Sequence, residues 1–166
     1  MKLIAQPLTA EGFAPYGTVI AVPADSVSGR FINGGSTRRF ELIGDMQLTV
    51  DGGRPTLALF RAQARGFPHA VTEMERHALG SQTFVPMGGE RRFVIVVAPA
   101  GNPPTSDALV AFVTDGREGV TLAPGTWHHA LLAVDAGDFV VVERAAAWVD
   151  CDVCVVSPSV SVTRSG

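Results

Sequence analysis

The chain breaks repeatedly into short runs of apolar or alternating residues, each closed by Gly, Pro, Asn or Asp. Its 18 glycines and 11 prolines leave little room for helices of ordinary length, whereas strands tolerate such punctuation at their ends. Lys2 to Leu8 reads as a first strand, and Thr9 caps a short helix running to about Ala14. Further strands are expected at Thr18–Val22, Phe40–Leu42, Gln47–Val50, Thr56–Ala62, Val71–His77, Gln82–Val85 and Arg92–Ala98. Leu109–Val113, Val120–Leu122, His128–Val134, Phe139–Arg144 and Val149–Val156 complete the set. Asp51-Gly-Gly-Arg-Pro55 signals a tight hairpin, and residues 24–39 a polar loop. Many short strands at regular intervals point to an all-β jelly roll or small barrel.

At 166 residues the chain reads as one domain spanning 1–166, with a small polar tail from about 157 expected to fray. Hydrophobic residues make up 46% and charged residues 17%, a balance that disfavours disorder. A formal charge of -3 gives no footprint for nucleic acid. No segment reads as membrane-spanning or as a signal peptide, so a cytoplasmic protein is expected. Lys2 is the only lysine, which argues against Schiff-base chemistry. Cys151 and Cys154 fit a redox or zinc spacing, but they lie in an apolar run without a second pair.

The chemistry concentrates in Glu73-Met-Glu-Arg-His77-Ala-Leu-Gly-Ser-Gln82-Thr-Phe-Val-Pro-Met-Gly-Gly89. On a strand, Val71, Glu73, Glu75 and His77 share one face, and Thr72, Met74 and Arg76 the other. Polar-out alternation is also the ordinary surface pattern, and a lone histidine is more often a surface or core residue than a ligand. What favours a site is the company: Gln82 on the next strand, and Pro124-Gly-Thr-Trp-His128-His129 behind a later turn. Glu75, His77, Gln82 and His128 make a four-ligand metal set whose mix of imidazole, carboxylate and amide does not select one metal. His129 falls on the opposite face from His128, and Arg76 faces away from Glu75, toward a subunit contact. Arg61 ends the apolar face Leu57-Leu59-Arg61. A buried arginine there needs an anion, either Glu41, Glu73 or Glu143, or a ligand.

These residues resemble the cupin motifs. Glu75 and His77 stand at the paired histidines, Gln82 at the glutamate, Gly89 at the closing glycine, and Gly125 and His128 at the second motif. Glu75-Arg-His, Leu79-Gly80, Gln82-Thr-Phe-Val-Pro-Met87 and Trp127-His128-His129 together resemble the ureidoglycolate lyase family. Met1-Lys-Leu, Tyr16-Gly17, Asn33-Gly34, Arg61-Ala62 and Cys151-Asp-Val153 extend the likeness over nearly the whole chain.

The resemblance implies a cupin double-stranded β-helix barrel with its site in the mouth, and a homodimer. It implies cleavage of ureidoglycolate to glyoxylate and urea in allantoin and purine nitrogen degradation. A divalent metal, nickel or zinc, would sit on Glu75, His77, Gln82 and His128. Glu73 or Glu75 would be the base and a neighbouring histidine, His77 or His128, the acid, while Arg61 and Gln82 bind substrate. Two other readings use the same residues: an amidohydrolase releasing ammonia, and a non-catalytic cupin that binds a small acid. A cupin isomerase or dioxygenase would want the full histidine and glutamate set, which Glu75 and Gln82 break.

Overall fold

The structure, a computed structural model, describes residues 1–164. Its strands, in chain order, are β1 (Lys2–Pro7), β2 (Gly17–Ile20), β3 (Arg30–Ile32), β4 (Thr37–Arg39), β5 (Arg54–Ala62), β6 (His69–Arg76) and β7 (Gln82–Met87). They continue as β8 (Phe93–Ala98), β9 (Val110–Val113), β10 (Gly119–Leu122), β11 (Trp127–His128), β12 (Leu132–Ala133), β13 (Gly137–Ala145) and β14 (Asp152–Arg164). Among the described residues one short α-helix interrupts them, α1 (Ala10–Phe13), capped as expected by the Thr9 hydroxyl, which accepts from the Gly12 amide at 3.1 Å.

Strand β11 pairs with both β6 and β8, so β11-β6-β14-β1-β9-β8 closes into a ring. A five-stranded sheet, β2-β10-β7-β13-β5, lies against it. This is the all-β barrel architecture expected. Alternation then sorts side chains between two cores. Met74, Val94, Val96, Ala111, Trp127 and Val162 fill the ring. Their neighbours Phe93, Ile95, Val97 and Phe112 face out of it and meet Phe84, Val120, Phe139 and Val141 of the sheet. Each fully buried side chain of this kind contributes about 1.5–3 kcal/mol relative to exposure. The consequence for the site is direct. Trp127 points into the ring, so His128, the next residue, points into the cleft between the layers.

Several sequence expectations need correction. Residues 40–49 form no strand: the Gln47 backbone is left-handed (φ 49°), and its amide bonds Asp45 Oδ1 at 2.8 Å in a local turn. Asp51 and Gly52 do turn the chain at positive φ, but into β5 and not between two paired strands. The polar loop at 24–39 contains the β3–β4 hairpin. The single strand expected at His128–Val134 is split into β11 and β12. The tail expected to fray from 157 is instead part of β14 as far as Arg164, since Val160 and Val162 are buried and Lys2–Ala5 pairs alongside in parallel. Residues 165 and 166 lie outside the described part. Within β6, Val71 shares the ring core with Met74 and not the face of Glu73, and the register against β14 shifts between Val155 and Val160.

Candidate active site

Three side chains from two strands and the turn beyond them converge in the cleft. Glu75 and His128 are cross-strand partners on β6 and β11, and therefore share a face. His77 follows β6 directly. The Gly125 amide donates to the His77 carbonyl at 2.7 Å, and Gly125 takes φ 81°, a conformation that suits glycine. That bond brings the Pro124–His128 segment beside the end of β6. One ligand atom each from Glu75, His77 and His128 then lies within 4.8 Å of the others.

The imidazole tautomers follow from their backbone partners. His77 Nδ1 lies 2.5 Å from the Asp150 carbonyl, and His128 Nδ1 lies 3.1 Å from the Thr126 carbonyl. A carbonyl oxygen only accepts, so both Nδ1 atoms carry the proton, and both Nε2 atoms are left as the inward-facing groups. Both Nε2 atoms are buried without a hydrogen-bond partner. His128 Nε2 does approach Glu75 Oε1 at 3.4 Å, too long for a well-formed hydrogen bond. The His128 contact is the main influence holding the Glu75 carboxyl below its ordinary range, against burial, which pushes the other way. The Cys151 thiol, 3.8 Å from Glu75 Oε2, is pushed up by burial and by that carboxylate.

Two buried imidazole Nε2 atoms without a hydrogen-bond partner, beside a carboxylate, suit a divalent cation. Glu75, His77 and His128 would hold it. Gln82 Oε1, also buried without a partner, is a further oxygen donor on the cleft side of β7.

A cavity of about 240 Å³ adjoins this cluster, lined by His77, Ser81, Glu143, Arg144, Trp148 and Asp150 among others. Glu143 is the cross-strand partner of Gln82, and its Oε2 accepts from Gln82 Nε2 at 2.8 Å. That bond fixes the amide so that the other end, Oε1, is left over.

Not every expected residue arrives. Arg61 is held by Asp138 at 2.8 Å with its side chain 80% exposed, away from the cleft. The reason is that β5 buries the other face: Ala58 and Ala62 pack inward, while Leu57 and Leu59 are 75% and 53% exposed. Glu73 is exposed and lies one strand repeat, roughly 7 Å, further from His77 than Glu75 does. With Glu75 and His129 it lines a separate shallow hollow. His129 packs on the His69 ring at 5.4 Å and takes no part in the cluster. Arg76, expected at a subunit contact, is engaged within the chain by Asp152, by the Gly101 carbonyl and by the Trp127 ring at 4.8 Å. The residues that sequence reasoning missed as site groups are Glu143, Arg144 and Asp150; the last falls inside the strand expected at Val149–Val156, whereas β14 begins only at Asp152.

Fold and site together define an all-β barrel protein with a histidine–carboxylate cluster in the cleft between its layers. A family model described as ureidoglycolate lyase matches residues 1–163, and the chain belongs to that family. A ureidoglycolate lyase of Burkholderia cepacia is 48% identical over 151 residues, covering 90% of this chain and 84% of that one. One from Pseudomonas syringae pv. syringae (strain B728a) is 45% identical, covering 91% and 88%. Ureidoglycolate lyase 1 of Rhizobium meliloti (strain 1021) is 43% identical, covering 86% and 82%. Among solved structures, RmlC from Streptococcus suis in complex with dTDP-D-xylose aligns at TM-score 0.39 and 12% identity, over 81% of this chain and 73% of that one.

Proposed function

We propose that the chain is a carbon–nitrogen lyase that cleaves ureidoglycolate to glyoxylate and urea. The family membership supports the activity. The observation that carries the site assignment is the meeting of Glu75 with two buried, unpartnered Nε2 atoms beside a cavity sized for a small acid. Glu75, held as a carboxylate by its neighbours, takes the proton of the substrate's carbinol hydroxyl. The oxygen electrons form the aldehyde of glyoxylate, and the C–N pair leaves on the urea nitrogen. That nitrogen needs one proton, so the Glu75–His128–His77 cluster returns the one it removed. A divalent cation, nickel or zinc, held by the same residues with Gln82 would act as a Lewis acid that acidifies the hydroxyl. Gln82 Oε1 and Glu143 present acceptors to the ureido N–H groups.

A homodimer is part of this reading. Leu57, Leu59 and Met87 leave apolar surface on the outer face of the five-stranded sheet, and we place the two-fold contact there. We also place the protein in the cytoplasm, serving allantoin degradation as a single domain. Among the described residues no helix is long and apolar enough to cross a membrane.

The test is to incubate the purified protein with ureidoglycolate and assay glyoxylate, urea and ammonia separately, before and after a chelator. Urea in step with glyoxylate is the expected result. Ammonia at twice the rate of glyoxylate would replace the lyase with the amidohydrolase, and no product at all would leave only a small-acid-binding protein.

A further inference from the structure

We propose that Arg144 holds the substrate's carboxylate, an inference that rests on the ureidoglycolate reading. With Arg61 on the outer surface, an anionic substrate needs another cation, and Arg144 lines the same cavity as His77 and Glu143. Its Nε donates to the Val50 carbonyl at 2.8 Å and its Nη2 to the Asp51 carbonyl at 3.0 Å. The third nitrogen, Nη1, is buried without a hydrogen-bond partner. Among the described residues no carboxylate forms an ion pair with this arginine, whereas Arg39, Arg61, Arg76, Arg92 and Arg117 are all paired.

Two neutral carbonyls fix the guanidinium plane but leave its charge uncompensated. A buried donor left unmade is costly, so such a group marks a place for a ligand. The backbone makes room for this side chain: a Cβ on Gly80 would lie 2.5 Å from Arg144 Cβ, and one on Gly53 would collide with Arg144 Nε. Arginine is also the residue whose fork fits a carboxylate, and a fork already held in place loses little freedom on binding. Glu143, next along the strand, is an acceptor that repels a carboxylate and takes N–H donors. Arg144 and Glu143 thus set the polarity of the cavity, carboxylate toward one and ureido group toward the other.

Calorimetric binding of glycolate and of its neutral amide, glycolamide, reads this charge recognition without turnover. The unmutated protein should prefer glycolate. Arg144→Gln keeps an N–H donor for the Val50 carbonyl and removes the charge; its preference should fall about 10-fold or more. Arg144→Lys keeps the charge and should retain part of the preference. An unchanged ratio in Arg144→Gln, or equal loss in both variants, would overturn the proposal. If the variants do not fold, glycolate should slow modification of Arg144 in the unmutated protein by an arginine-directed dicarbonyl, read by peptide mass, and glycolamide should not; equal modification in both overturns the assignment. Failure of the lyase reading is distinct: the unmutated protein would then yield no urea, whatever its preference for glycolate.

Discussion

His77 and Asp150 are joined across 73 residues of chain by a 2.5 Å bond from the imidazole Nδ1 to the Asp150 carbonyl. The Asp150 carboxylate adds two more bonds to the same turn, accepting from the Ala78 amide at 3.0 Å and the Leu79 amide at 2.8 Å. The link before β14 thereby holds the exit of β6, and with it the orientation of His77.

Asp150→Ala keeps the carbonyl but removes the acceptor for both amides. We expect a loss of about 1–3 kcal/mol in stability, since hydrogen bonds to a charged group are removed. Turnover should fall further than stability suggests, because a displacement of about 1 Å at a catalytic group can cost on the order of 100-fold. Asp150→Asn, which keeps one acceptor oxygen, should recover part of both. Urea denaturation and kcat measured on the same preparations decide it; full activity in Asp150→Ala would detach this contact from the site.

How much of this was legible depended on distance along the chain. Glu75 and His77 sit two apart, one on β6 and the other just past its end, and Gly125 and His128 are three apart at one turn, so local spacing revealed their partnership. Arg61 misled because its face carries Leu57 and Leu59, and a periodicity argument cannot tell an apolar surface from an apolar core. Arg144 escaped for the opposite reason. Alternation assigns it and Glu143 to different faces, yet they sit near the end of β13, where both reach one cavity and residues 50–53 fold against the arginine. The same holds for Asp150, which meets His77 only when the chain has returned from β13.

Arg61→Gln should therefore leave KM and kcat for ureidoglycolate unchanged. The Arg61–Asp138 pair is exposed and screened by salt, so little stability is expected to change either. A rise in KM for this variant, with Arg144→Gln unaffected, would exchange the roles given to the two arginines.

Metal retention should depend on all three converging groups. The unmutated protein, loaded with nickel or zinc and desalted, should retain about one ion per chain, as a site with two imidazoles and a carboxylate does. Glu75→Ala, His77→Ala and His128→Ala should each lose it, while Glu73→Ala and His129→Ala should retain it. Elemental analysis of the desalted proteins measures this; retention in His77→Ala and His128→Ala alike would remove the ion from the cluster.

Asp135 offers a check on stability away from the site. Its carboxylate takes three bonds from Arg92, two from the guanidinium and one from the backbone amide, and the guanidinium is the main cause of a pKa lowered from 3.8 to about 2. A carboxyl whose pKa is depressed on folding stabilises the native state at pH values above its unfolded pKa, and that contribution is lost as pH falls through the folded value. The melting-temperature difference between the unmutated protein and Asp135→Asn should thus be constant from neutral pH down to about 4, shrink between about 4 and 2, and be gone below that. Because the pair is partly exposed, the difference should also shrink in 1 M salt. A difference that persisted at pH 2, or grew on acidification, would show that Asp135 acts through its shape and not its charge.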